Sequence, residues 1–166
     1  MGKERLTFQQ LNEESWKQKI ITPRVASTGI VESPDRKYIL LVDRIYQPFG
    51  FAFPGGMQEL GETIEETIVR EVYEETNIEA ESLGMLYMSS NPYSDPRWHV
   101  DICYFVMKAL EFKKPIAGDD AKEAFWYPYD STKYDIAFVQ ATRNAMELYR
   151  TWRMKPNQDL FKIDRF

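Results

Sequence analysis

The sequence holds one cysteine, Cys103, and one histidine, His99, in 166 residues. A lone cysteine excludes an internal disulfide framework and a Cys-rich zinc site. Cys103 lies in the apolar run 101–106, where a buried strand cysteine is the expectation. Positive charge is also short. Lys and Arg number 21 against 26 Asp and Glu, giving a formal charge of −5 and a pI near 5.1. That balance argues against an electrostatic binder of nucleic acid or of an anionic membrane. A phosphate-bearing substrate would need local help, from a bound cation or a few placed Arg and Lys. No apolar run approaches membrane-spanning length, and residues 1–5 lead into no signal-peptide core. Gly2 would suit myristoylation, but Leu6 stands where that motif wants Ser or Thr. The expectation is a cytoplasmic protein with neither nucleic acid nor membrane as partner. Internal repeats, low-complexity tracts and Ser/Gly linkers are missing, so residues 1–166 are expected to form one domain.

What is present suits a packed core: 43% hydrophobic residues, with 14% aromatic. Thr7 and Gln10 stand in capping-box register, and Phe8 with Leu11 offers a narrow apolar stripe, so the extension 1–22 is expected to be partly helical. Strands are expected at 25–31 and 37–42, with Pro34-Asp35 turning between them, and at 51–53, where Pro54-Gly55-Gly56 breaks the run. Further strands are expected at 82–88, 98–108 and 123–129. Phe138, Ala141, Ala145, Leu148 and Trp152 recur at helical spacing and predict a closing helix over 135–153. The tail 154–166 is left unassigned. Strands before, between and after a central helix suggest a mixed sheet covered by helices.

The central helix carries the most informative segment. Over residues 55–78 seven side chains are Glu and the only cation is Arg70. Thr63 and Glu66 form a capping box, while Ile64, Ile68 and Val72 fall at i, i+4 and i+8 as a buried stripe. At ~100° per residue, Glu71, Glu74 and Glu75 lie within an arc of about 100°. Acidic helices are ordinarily solvated faces. Here Glu71 and Glu75 repel at i, i+4, and all three crowd the end where the helix dipole disfavours anions. A divalent cation would remove both penalties, and Mg²⁺ takes carboxylates together with substrate phosphates. Arg70 is placed to hold Glu74, and Glu62 from the preceding loop, in position. Gly55 and Gly56 permit close backbone approach, so a carbonyl there is a further candidate ligand.

Gly56, Glu62, Arg70, Glu71, Val72, Glu74, Glu75 and Ile78 fit the pattern G-x5-E-x7-R-E-U-x-E-E-x-G-U, with U apolar. A chance match in one window is on the order of 10⁻⁸. The segment resembles the signature of Nudix hydrolases. Asn77 replaces the final Gly, at a helix end where a left-handed residue is expected and Asn is the next-best occupant. The resemblance implies an α/β fold, an α/β/α sandwich with a mixed sheet, and hydrolysis of nucleoside diphosphates linked to another moiety. It implies Mg²⁺ or Mn²⁺ held by Glu71, Glu74 and Glu75 with the Gly56 (or Gly55) carbonyl. Catalytic roles fall to Glu71, Glu74, Arg70 and Glu62, one helix carboxylate orienting or deprotonating the attacking water. Asp120 (or Asp119) is the candidate for a further acidic residue from a loop, a solvated turn being the alternative.

Two stretches, 44–50 and 94–100, resemble small ADP-ribose pyrophosphatases. Tyr46, Phe49 and Phe51 are candidates to stack on adenine, and Arg44 or Arg97 to meet a phosphate. Each aromatic has an ordinary alternative in core or hairpin packing. His99 is read as a strand-end hydrogen-bonding residue. The substrate order is ADP-ribose or an ADP-sugar, then an ordinary or oxidised nucleoside triphosphate, then NADH, whose cleaving relatives carry an element that Ser90-Asn-Pro-Tyr93 matches only in part. A non-catalytic ADP-ribose sensor is the outlying alternative. Members of this branch are frequently dimers, which leaves a homodimer open.

Overall fold

The computed structural model describes residues 10, 13, 17, 22–93, 95, 99–118, 121–131, 140–155, 159 and 160. Seven strands form one mixed sheet: β1 (Arg24–Glu32), β2 (Tyr38–Arg44), β3 (Gly50–Ala52), β4 (Gly55–Met57), β5 (Ala80–Ser89), β6 (Val100–Ala109) and β7 (Ala121–Pro128). Helices α1 (Ile64–Thr76) and α2 (Gln140–Arg153) accompany them. The main path runs β3-β2-β1-β6-β5, with β4 added to β1 and β7 to β2. Among the described residues only β1 and β6 pair in parallel, from Arg24↔Val100 to Glu32↔Lys108. Among the described residues no helix is long and apolar enough to cross a membrane.

Alternation along the strands sends neighbouring side chains to opposite faces. Ile30, Ile39, Leu41, Tyr104 and Val106 pack with Ala145, Met146 and Tyr149 of α2. Val31, Leu40, Cys103, Phe105 and Met107 pack with Ile68 and Val72 of α1. Both faces are covered, which is why Ile39 to Val42 reads as a continuous apolar run. This is the expected sandwich, and Cys103 is buried in it.

α1 starts where the capping box places it. The Thr63 side chain accepts from the Glu66 amide, and the Glu66 carboxylate accepts from the Thr63 amide. It ends on Asn77, left-handed at φ 55°, whose N–H reaches the Tyr73 carbonyl at 2.7 Å. Full burial of Ile68 and Val72 stabilises the docking by about 1.5–3 kcal/mol each.

Two local expectations change. The Pro-Gly-Gly breaker is followed at once by a strand, β4, because Gly55–Met57 adds to β1 through Thr28↔Gly55 and Ala26↔Met57. On α2 the buried face runs through Ala145, Met146 and Tyr149, while Leu148 is 45% exposed. A polar contact rotates the helix this way: the Tyr149 hydroxyl donates to the buried Glu32 carboxylate at 2.6 Å. Arg36 pairs with the same carboxylate at 2.8 Å. Of the expected N-terminal helix only Gln10, Glu13 and Lys17 are described, each helical and exposed. Phe8, Leu11 and Phe138 lie outside the described residues, as does most of the tail.

Candidate active site

On β1 the residues lying on the α2 side continue from Ile30 back through Thr28 and Ala26 to Arg24. With Val100 and Ile102 of β6 and Val42 and Arg44 of β2, Thr28, Ala26 and Arg24 line a cavity of about 380 Å³. Its remaining lining is Tyr46, Gly55, Gly56, Met57, Glu71, Glu75 and Asp95. Glu71 and Glu75 belong to α1, across the sheet, and reach the hollow past β4. They can do so because β4 opens with two glycines. A Cβ on Gly56 would run into the Glu71 carboxylate, and a Cβ on Gly55 would strike the Ser27 carbonyl oxygen. Ser27 ties α1 down from the other side by donating its hydroxyl to the Ile64 carbonyl at 2.7 Å.

Arg70 organises the acidic cluster. Its Nε donates to Glu62 Oε1 at 2.6 Å and its Nη2 to Glu62 Oε2 at 3.0 Å. Nη1 reaches Glu71 at 2.7 Å and Glu74 at 3.0 Å, and Nη2 also reaches the Met57 carbonyl at 3.2 Å. The guanidinium pulls the Glu62 carboxyl down to about 2, and the three carboxylates raise Arg70 in return. Glu71, with its side chain 15% exposed, moves the other way. Desolvation raises its pKa, and Arg70 opposes the rise. Glu75 is fixed separately, by the Gly55 N–H donating to Oε2 at 3.0 Å.

Glu71 and Glu75 therefore face the cavity together with Gly55 and Gly56. Glu74 turns toward Arg70, its side chain 56% exposed, and lies outside the cavity lining. Among the described residues no three of His, Cys, Asp and Glu converge to grip a metal on their own. The donor set nevertheless fits a hard divalent cation. Mg²⁺ commonly takes one or two carboxylates and completes its shell with water and substrate phosphate. Glu71 is an anion paying for partial burial, which a cation in the cavity would offset.

Arg44 and Tyr46 line the cavity. The Arg44 guanidinium donates Nε to the Pro48 carbonyl at 2.9 Å, so it also shapes the loop that carries Tyr46. Phe49 is 61% exposed and outside the lining. Phe51 sits edge-on to Phe125, centroids 5.0 Å apart, and packs against the α2-side core. Arg97, Asp119 and Asp120 fall outside the described residues. The loop flanking the two aspartates is nonetheless anchored at the end of α1, since Ile116 N–H donates to the Thr76 carbonyl and Gly118 N–H to that of Glu75, both at 2.9 Å. His99 accepts the Arg24 N–H on its backbone carbonyl at 3.0 Å, just ahead of β6. Arg24 lines the cavity without having been singled out in the sequence, as does Asp95, which lies in the stretch 94–100 but was given no role there. An isolated arginine opening a strand carries no signal until β1 and β6 are known to run side by side.

A sheet sandwiched between helices, with carboxylates from one helix reaching a cavity through a glycine gap, defines an α/β domain with an acidic cavity. A family model described as NUDIX domain matches residues 22–149. The chain belongs to the Nudix family. It is 44% identical over 109 residues to an ADP-ribose pyrophosphatase of Methanocaldococcus jannaschii, an alignment covering 63% of this chain and 62% of that protein. It is 33% identical over 112 residues to the NAD-capped RNA hydrolase NudC of Photorhabdus laumondii subsp. laumondii, covering 65% of this chain and 41% of that protein. The chain thus spans less than two thirds of the length of these relatives. Among solved structures, a NUDIX hydrolase from Nitrosomonas europaea shares the fold with a TM-score of 0.70 at 23% identity, over 86% of this chain and 78% of that one.

Proposed function

We propose that the chain is a Mg²⁺- or Mn²⁺-dependent pyrophosphohydrolase that splits the diphosphate linkage of a nucleoside diphosphate derivative. The preferred substrate is ADP-ribose, giving AMP and ribose 5-phosphate. The observation that carries this reading is one cavity lined both by Glu71 and Glu75 and by Arg44. Carboxylates alone would repel a diphosphate, whereas carboxylates holding a cation, with a guanidinium in the same cavity, attract one. The identity to an ADP-ribose pyrophosphatase supports the substrate choice.

On this reading Glu71 and Glu75 would hold the ion, with a Gly55 or Gly56 carbonyl beside them. Arg70 and Glu62 keep the carboxylates in place. The bound cation would neutralise the diphosphate and acidify the attacking water. Water adds to one phosphorus, the bridging P–O bond breaks, and a second monophosphate leaves. The likeness to NudC-type proteins favours a second reading, in which the diphosphate is that of NADH or of an NAD-capped RNA end.

The test is phosphate release coupled to a phosphatase, over ADP-ribose, ADP-sugars, NADH, NAD-capped RNA, dinucleoside polyphosphates and nucleoside triphosphates. ADP-ribose should turn over fastest, and only with Mg²⁺ or Mn²⁺. Undiminished turnover in excess EDTA would reject the metal. Faster turnover of another substrate would reassign the specificity.

A further inference from the structure

Arg24 occupies a distinctive place in the cavity. It opens β1, and its backbone N–H is fixed on the His99 carbonyl at 3.0 Å. Thr28, on the same face, stands opposite Gly55 in the β1–β4 pairing, and the Gly55 N–H holds Glu75. A strand rises about 3.3 Å per residue, so the Arg24 backbone lies roughly 13 Å along β1 from Thr28. A diphosphate drawn to Glu71 and Glu75 leaves Arg24 facing the part of the substrate beyond its phosphates. The floor between is apolar, built from Ala26, Val100 and Ile102. Such a floor suits a flat base better than phosphate or sugar hydroxyls, which would lose hydration there unpaired. Tyr46, 59% exposed, lines the same hollow and offers a ring.

Resting on the pyrophosphohydrolase reading above, we infer that Arg24 is a specificity-determining residue that packs its guanidinium against the substrate's nucleobase. Arg44 shapes the Tyr46 loop through its bonds to the Pro48 and Gln47 carbonyls. Arginine suits this role because its planar, delocalised cation stacks on an aromatic face, which a lysine ammonium does not reproduce.

The experiment compares wild type, Arg24→Ala and Arg24→Lys. Calorimetry with AMP and with ribose 5-phosphate separates the base from the phosphate, and ADP-ribose kinetics follow in parallel. Arg24→Ala should weaken AMP by about 3- to 30-fold and leave ribose 5-phosphate unchanged. KM for ADP-ribose should rise in step while kcat holds, and Arg24→Lys should be as weak as Arg24→Ala. Recovery of wild-type KM by Arg24→Lys, or equal weakening of both probes, would make Arg24 a phosphate contact and overturn the inference. Unchanged AMP affinity in Arg24→Ala would overturn it as well. If wild type binds AMP through Arg24 but leaves ADP-ribose intact, the base contact stands and the proposed function falls.

Discussion

Gly55 and Gly56 are adjacent, yet alanine at each should damage a different property. At Gly56 a Cβ would sit 2.6 Å from Glu71 Oε2, with the rest of that carboxylate closer still. To regain van der Waals contact the carboxylate must retreat by about 1 Å, which a long side chain can do. The retreat strains the 2.7 Å bond from Arg70, for about 1–2 kcal/mol of stability. A misplacement of about 1 Å at a reacting centre costs on the order of 100-fold in rate. At Gly55 the obstacle is backbone: the Ser27 carbonyl and the Thr28 Cα at 2.8 Å, with φ at 158°. Neither can move without parting β4 from β1, so Gly55→Ala should cost about 3 kcal/mol of stability. Urea midpoints read the stability and ADP-ribose turnover reads the site. Gly56→Ala at wild-type turnover, or Gly55→Ala unfolding at the wild-type midpoint, would refute this account of β4.

Three further outcomes follow from single contacts. Glu62, lowered from 4.5 to about 2 by Arg70, contributes stability that is complete above pH 4.5 and is lost as pH falls toward 2. Glu62→Gln should therefore destabilise by about 1–2 kcal/mol at neutral pH and by less at pH 3, and urea midpoints that fall equally at both pH values would contradict this. Tyr149→Phe removes the 2.6 Å bond to Glu32 and should cost about 1.5–3 kcal/mol, with turnover of ADP-ribose unchanged. Asn77→Gly keeps the left-handed cap at φ 55° and should shift stability by under about 1 kcal/mol. A larger shift, or a change in rate, would give Asn77 a role beyond the cap.

The helix that carries the carboxylates was legible residue by residue. Thr63, Glu66, Ile68, Val72 and Asn77 act locally, through caps and a stripe, and local pattern is what a sequence displays. β4 was not legible, because Pro-Gly-Gly describes how a chain turns, not what it then pairs with. The rotation of α2 was hidden for a similar reason. Leu148 belongs to the apolar spacing, but Tyr149 finds Glu32, which lies 117 residues away. Within the candidate site the motif brought Glu62, Arg70 and Glu71 to attention together. The cavity's other wall depends on β1 and β6 being neighbours, so Arg24 emerged only from the sheet. Phe51, an aromatic candidate in sequence, packs against Phe125 because its strand position turns it toward the α2-side core.

In the proposed function the α1 carboxylates hold a divalent cation against a diphosphate. Glu75→Gln tests it most directly, because the amide oxygen can still accept the Gly55 N–H that now binds Oε2. Rates of ADP-ribose hydrolysis are to be measured against Mg²⁺ concentration for wild type and variant together. The variant should fold normally, lose about 100-fold or more in kcat, and need more Mg²⁺ for what activity remains. A wild-type rate with a wild-type Mg²⁺ dependence would contradict the account.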